Sequence, residues 1–144
     1  MINEKLIEKN IITATISSNF TKTSSAYELL VLNDSVSLGD KLTLTNTGKI
    51  KIGSGVSYVK VSAKVSFDSV ATTALKWLTI FKNTTSTVIS ANPCNLSARN
   101  MIYATSMLVA VQENDELLLE VNGATNDVIR GGIAYTNITV EVVE

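Results

Sequence analysis

Between Val56 and Phe67 the residues Val59, Val61, Ala63, Val65 and Phe67 fall on one side of an extended backbone, and Lys60, Ser62, Lys64 and Ser66 on the other. Successive side chains of a β-strand point to opposite faces, so this period of two marks a strand with one dry and one wet face. A helix would repeat its apolar residues every three or four positions. A strand with a dry face needs a second layer to cover it, which makes a packed β architecture the first constraint on the fold.

The same alternation runs through Ile12-Ala14-Ile16, Leu42-Leu44, Ile50-Ile52 and Ile138-Val140-Val142. Turn chemistry separates these runs: Leu38-Gly39-Asp40-Lys41, Asn46-Thr47-Gly48-Lys49, Gly53-Ser54-Gly55, Glu113-Asn114-Asp115-Glu116, Asn122-Gly123 and Arg130-Gly131-Gly132 supply residues that tolerate positive φ and Asx side chains that close tight turns. Short strands with frequent turns predict an antiparallel sandwich or barrel. With 144 residues and no internal repeat or linker, one domain is expected over residues 12–144. Residues 1–11 read as an N-terminal arm or a short helix, with Ile2, Leu6 and Ile7 near one face. A helix so short is marginal without a partner.

Four segments depart from the alternation: Glu28–Leu32, Leu75–Phe81, Met107–Val111 and Asp115–Val121. Apolar residues on both faces of a strand mean that its outward face is covered too. The chain is 45% hydrophobic, 17% charged and carries a net charge of -1, against about 25% charged residues in an average soluble domain. A second copy of the chain is the expected cover, because closed self-association is the usual outcome for exposed apolar patches.

Composition excludes whole classes of chemistry. With no His, Ser-His-Asp and Cys-His catalysis are ruled out, and the commonest transition-metal ligand is missing. The single Cys94 forms neither an internal disulfide nor a CxxC site and reads as a plain loop thiol. Scattered lysines make no basic stripe, so no nucleic-acid partner is expected. No run approaches the roughly 20 apolar residues of a membrane-spanning helix, so no membrane insertion is expected. Met1-Ile2-Asn3-Glu4-Lys5-Leu6 lacks the form of a signal peptide.

Asn33, Asp34, Asp40, Glu113, Asp115, Glu116 and Asp127 are oxygen donors of the kind calcium takes, but they have no EF-hand spacing and read as turn formers. Glu113, Asp115 and Glu116 read as a solvated turn rather than the facing carboxylates of a glycosidase. Matches to the Asn-x-Ser/Thr pattern at Asn19, Asn33, Asn83, Asn95 and Asn137 are expected by chance in a chain so rich in these residues.

The order of the segments carries a resemblance. Gly55-Val56-Ser57-Tyr58 leads into the central strand, Lys82-Asn83 ends a later one, Asn114-Asp115 opens another, and Tyr135-Thr136-Asn137-Ile138 begins the last. This order resembles phage and prophage virion proteins built on the trimeric jelly roll of the tumour necrosis factor and complement globular-head superfamily. It implies an all-β, antiparallel jelly-roll sandwich without catalytic residues, metal or cofactor. The expected role is a fibre-head, receptor-binding or decoration subunit of a particle made in a bacterial cytoplasm.

The partners implied are the chain itself as a homotrimer, other virion proteins through the N-terminal arm, and a host cell-surface glycan or protein. Leu30, Trp77, Phe81, Leu118 and Tyr135 are the expected trimer-interface residues. Thr85, Ser86, Asn92, Asn95 and Arg99 are expected on an irregular loop, Thr84 to Arg99, that is either a ligand-facing edge or a plain connection. A monomeric carbohydrate-binding sandwich is the alternative, with Trp77, Phe81, Tyr58, Tyr103 and Tyr135 as candidate stacking residues.

Overall fold

The computed structural model describes residues 9–71, 74–96 and 101–143; Arg99, most of the expected N-terminal arm, and the side chains of Ser86 and Asn95 lie outside the described residues. Thirteen strands follow in order: β1 (Ile11–Thr15), β2 (Phe20–Thr21), β3 (Glu28–Leu29), β4 (Asp34–Leu38), β5 (Leu42–Leu44), β6 (Ile50–Ile52), β7 (Tyr58–Ser69), β8 (Ala74–Lys82), β9 (Thr84–Leu96), β10 (Met101–Ala110), β11 (Glu116–Asn122), β12 (Val128–Ile129) and β13 (Asn137–Val143).

They form two antiparallel sheets. The first runs β2-β12-β7-β13-β1-β4, with β10 also paired to β7; the second runs β5-β6-β11-β8-β9, with β3 also paired to β11. The long β7 lies at the centre of the first sheet. It pairs with β13 from Tyr58 to Lys64, with β10 from Tyr58 to Ser66, and with β12 at Phe67 and Ser69. β13 is held on its far side by β1, so the last strand sits between the first and the central one.

The alternation read from the sequence sets the packing. Val59, Val61, Ala63, Val65 and Phe67 of β7 point inward and are buried, as are Ile138 and Val140 of β13 and Ile12 and Ala14 of β1. They meet Leu78 and Ile80 of β8, Leu117, Leu119 and Val121 of β11, and Ile50 and Ile52 of β6 in one continuous core. Burial of each valine, leucine, isoleucine or phenylalanine among them stabilises the fold by about 1.5–3 kcal/mol.

One expectation is overturned here. Thr84–Leu96 is not an irregular loop but the edge strand β9, paired with β8 from Lys82↔Thr84 to Ala74↔Leu96. Two register shifts near Phe81 break its period, which is why the alternation cannot be followed in the sequence. Pro93 is tolerated because β9 ends its sheet, where an amide need not donate to a neighbour.

The turns at one end of the sandwich are fastened to each other. Asn83, at φ 64 between β8 and β9, donates from Nδ2 to Asp115 Oδ1 at 2.9 Å and accepts the Glu116 amide on Oδ1 at 2.8 Å. Asp115 is buried and accepts the Gln112 amide through its other oxygen at 3.0 Å. The residue pairs of two short motifs, Lys82-Asn83 and Asn114-Asp115, are thus joined in space. Asn83→Ala removes both side-chain bonds and disfavours the positive φ, and should lower stability by about 2 kcal/mol in urea unfolding; Asn83→Gly, which relieves the φ, should lose less.

Candidate functional site

The outward face of the first sheet is laid out by its strand register. Leu38, Ile11, Glu141 and Lys60 form one row across β4, β1, β13 and β7. Val36, Thr13, Thr139, Ser62 and Thr105 form the next, continuing onto β10. Val143, Tyr58 and Ala110 make a third. In the second row Thr13 and Thr139 share a hydrogen bond of 2.8 Å between their hydroxyls. Val36 is 68% exposed and Leu38 61%, and Tyr58, Tyr103, Leu108 and Val143 are exposed as well. A face that presents valine, leucine and tyrosine side chains between hydroxyls is suited to being covered.

The outward face of the second sheet differs. Thr79, Phe81, Leu118 and Glu120 alternate with the core residues of β8 and β11, yet they too are buried. Part of the cover is the chain's own Tyr27. Its ring meets Phe81 edge to face at 5.8 Å between centroids, and its hydroxyl accepts a hydrogen bond from Thr79 at 3.2 Å. Tyr27 is positioned by Glu28, whose carboxylate accepts the Thr23 and Ser24 amides and the Thr23 hydroxyl and pairs with Lys22 at 3.1 Å. Burial acts to raise the Glu28 carboxyl, but these hydrogen bonds and the lysine outweigh it and hold the group below its ordinary value. Thr79 stands opposite Glu120, and Glu120 opposite Leu29. Glu120 is 6% exposed, and its Oε2 has no hydrogen-bond partner. Desolvation raises its pKa, with Lys49 pulling partly the other way.

Comparison with solved structures now gives the fold its class. Three crystal structures of murine APRIL, at pH 8.0, pH 5.0 and pH 8.5, superpose with TM-scores of 0.73, 0.73 and 0.72. Each covers 94% of this chain and 100% of its own, at 11%, 8% and 10% sequence identity. The fold is a TNF-like jelly roll. No family model and no curated protein matches the sequence.

Within this TNF-like sandwich the five expected interface residues do not form one patch, although Phe81 and Leu118 are cross-strand partners. Leu30 lies in the core and is fully buried, leaving it no surface to offer a second copy. Phe81 and Leu118 sit on the outer face of the second sheet but are closed off within the chain, Phe81 beneath Tyr27. Trp77 is half-buried on that face. Tyr135 lies apart in the β12–β13 connection, where the Arg130 guanidinium stacks 3.7 Å from its ring centroid. Thr85 and Asn92 are exposed on β9, and Asn92 donates to the Tyr103 carbonyl.

The sequence reading missed Val36, and placed Leu38 only in the turn Leu38–Lys41, whereas both lie on β4. It also missed Tyr27 and Glu120. An open cleft of about 350 Å³ lies beside the Asn83 turn, lined by Lys82, Asn83, Ala110, Val111, Gln112 and Asp115. The Asp115 carboxylate is committed to the turn. Among the described residues, no group of three or more His, Cys, Asp or Glu side chains is placed to hold a metal, and no helix is long and apolar enough to cross a membrane.

At one edge of the core two lysines are fully buried. Lys22 donates to the Ala26 and Val121 carbonyls at 2.8 and 3.0 Å and to Glu28. Lys76 pairs with Asp127 at 2.7 Å, both without exposure. Asp127 also accepts the Ala71 and Ala124 amides, so a residue expected to form a turn does so, with its charge opposed by a lysine. Gly123 packs against this group; a Cβ there would come within 2.5 Å of Asp127 Oδ2. Period two from Leu78 and Ile80 already places Lys76 on the inner face, a signal the sequence did contain.

Asp127→Ala strips both amide caps and leaves Lys76 uncompensated, and should cost about 3–5 kcal/mol in urea unfolding. Glu120→Gln acts with the opposite sign. A carboxyl whose folded pKa is raised weakens the fold as pH climbs through its ordinary 4.5. The variant should therefore unfold at a higher temperature than the parent at neutral pH, and at the same temperature well below pH 4.5.

Proposed function

We propose that the chain is a non-enzymatic recognition and structural subunit that works as a homotrimer, in a phage or prophage particle, as a fibre head, receptor-binding or decoration protein. The observation that carries the assembly reading is the outward face of the first sheet, where Val36, Leu38, Tyr58, Tyr103 and Leu108 stand exposed among hydroxyls. Such side chains on one sheet face favour a protein cover over water. The TNF-like fold is consistent with threefold assembly. The order of motifs from Gly55 to Ile138 supports the particle setting, with the N-terminal arm, residues 1–11, as the attachment to other virion proteins.

Static light scattering at micromolar concentration should give three times the 15.5 kDa of one chain, and a clean monomer overturns the trimer. Leu38→Glu with Tyr103→Glu should yield a monomer with an unchanged far-ultraviolet spectrum. Capsid or tail genes beside the coding sequence are the expected neighbourhood; metabolic genes on both sides would remove the particle role.

A further inference from the structure

We propose that the outward face of the second sheet holds a subsite for a neutral sugar ring, centred on the Thr79–Glu120 row and bounded by Tyr27 and Trp77. The inference rests on reading the chain as a recognition subunit and places its ligand on the opposite sheet from the assembly face.

A carboxylate oxygen buried without a partner is costly, about 1–3 kcal/mol or more for a charged group, and native folds seldom keep one without a use. Glu120 Oε2 is such an atom, on a sheet face rather than in the core. Next to it Tyr27 brings a hydroxyl that accepts from Thr79 and keeps its own proton to donate. Tyr27 is 40% exposed and is held against the sheet by that bond and the Phe81 edge contact; a ligand that reaches Glu120 must turn it aside. Trp77 stands two residue pairs further along, opposite Asn122.

The chemistry selects among ligands. An acceptor for a hydroxyl proton, flanked by aromatic rings that take an apolar ring face, fits a saccharide. A wholly apolar group would leave Glu120 unpaired. A cation meets the opposing charge of Lys49, which acts on the same carboxylate. A peptide strand adds to a sheet edge rather than to its face.

Trp77 is the chain's single tryptophan, so its emission reads this face directly. Methyl α-glucoside, methyl β-galactoside, methyl α-rhamnoside and N-acetylglucosamine would each be titrated into the full chain to about 50 mM, tens of times a millimolar dissociation constant. Tetramethylammonium serves as the cationic comparison. At least one saccharide should shift the emission with saturation. Glu120→Gln should weaken it about tenfold or more, the scale of a hydrogen bond to a charged acceptor, in a variant expected to fold at least as well as the parent. No saturable shift with any of the saccharides, equal affinity in Glu120→Gln, or preference for tetramethylammonium overturns the subsite. Light scattering on the same samples separates the two readings: a trimer that ignores sugars sinks only the subsite, and a monomer that binds them sinks only the assembly.

Discussion

Each long strand of this sandwich has a face that cannot be left in water, and its cover is supplied by strands of the opposite sheet. Val59, Val61, Val65 and Phe67 on β7 become dry only when β8, β11 and β6 lie across from them. No pair of neighbouring strands can form a stable unit by itself. The chain therefore crosses repeatedly between sheets, and the last strand is inserted between the first and the central one. Everything else in the molecule is arranged around keeping these two inner faces in register, because a slip by one residue would turn every valine outward.

The polar groups that are buried guard the limits of that core. At one end Asn83 ties the β8–β9 turn to the turn ahead of β11. At another edge Lys22, Lys76, Glu28 and Asp127 join the start of the chain to the turn after β11. Such groups contribute little net stability relative to apolar replacements, yet they exclude other arrangements, since any shift leaves a charge buried and unpaired. The same Glu28 that closes the Lys22 contact also sets the segment carrying Tyr27. In this way a structural ion pair determines what covers the outer face of the second sheet.

The two outward faces consequently have different characters. On the first sheet, strand pairing leaves aliphatic and tyrosine side chains in the open beside a threonine pair. On the second, a single tyrosine closes over phenylalanine and threonine, with a carboxylate held beside them in a dry position. One face resembles half of an interface and the other a small polar site with aromatic walls. The outer residues Phe81 and Leu118 were expected to need a second chain, but both are buried within one chain, and Tyr27 reaches Phe81.

The all-β class, the dry face of β7 and the turn positions could all be read from the sequence, because period two and glycine or asparagine chemistry act locally and leave a direct trace. Strand β9 could not be, since bulges and an edge proline erase the period there. Nor could the grouping of surface residues: Leu30 and Leu118 look alike in sequence, but one lies in the core and the other on the outer face of the second sheet, paired with Phe81. Which residues become neighbours on a sheet face depends on pairings between distant strands, 126 positions apart for Thr13 and Thr139. Local spacing determined which side chains of the strands would be dry; only the tertiary pairing decided which of them would meet, and so where a surface for assembly or recognition could form.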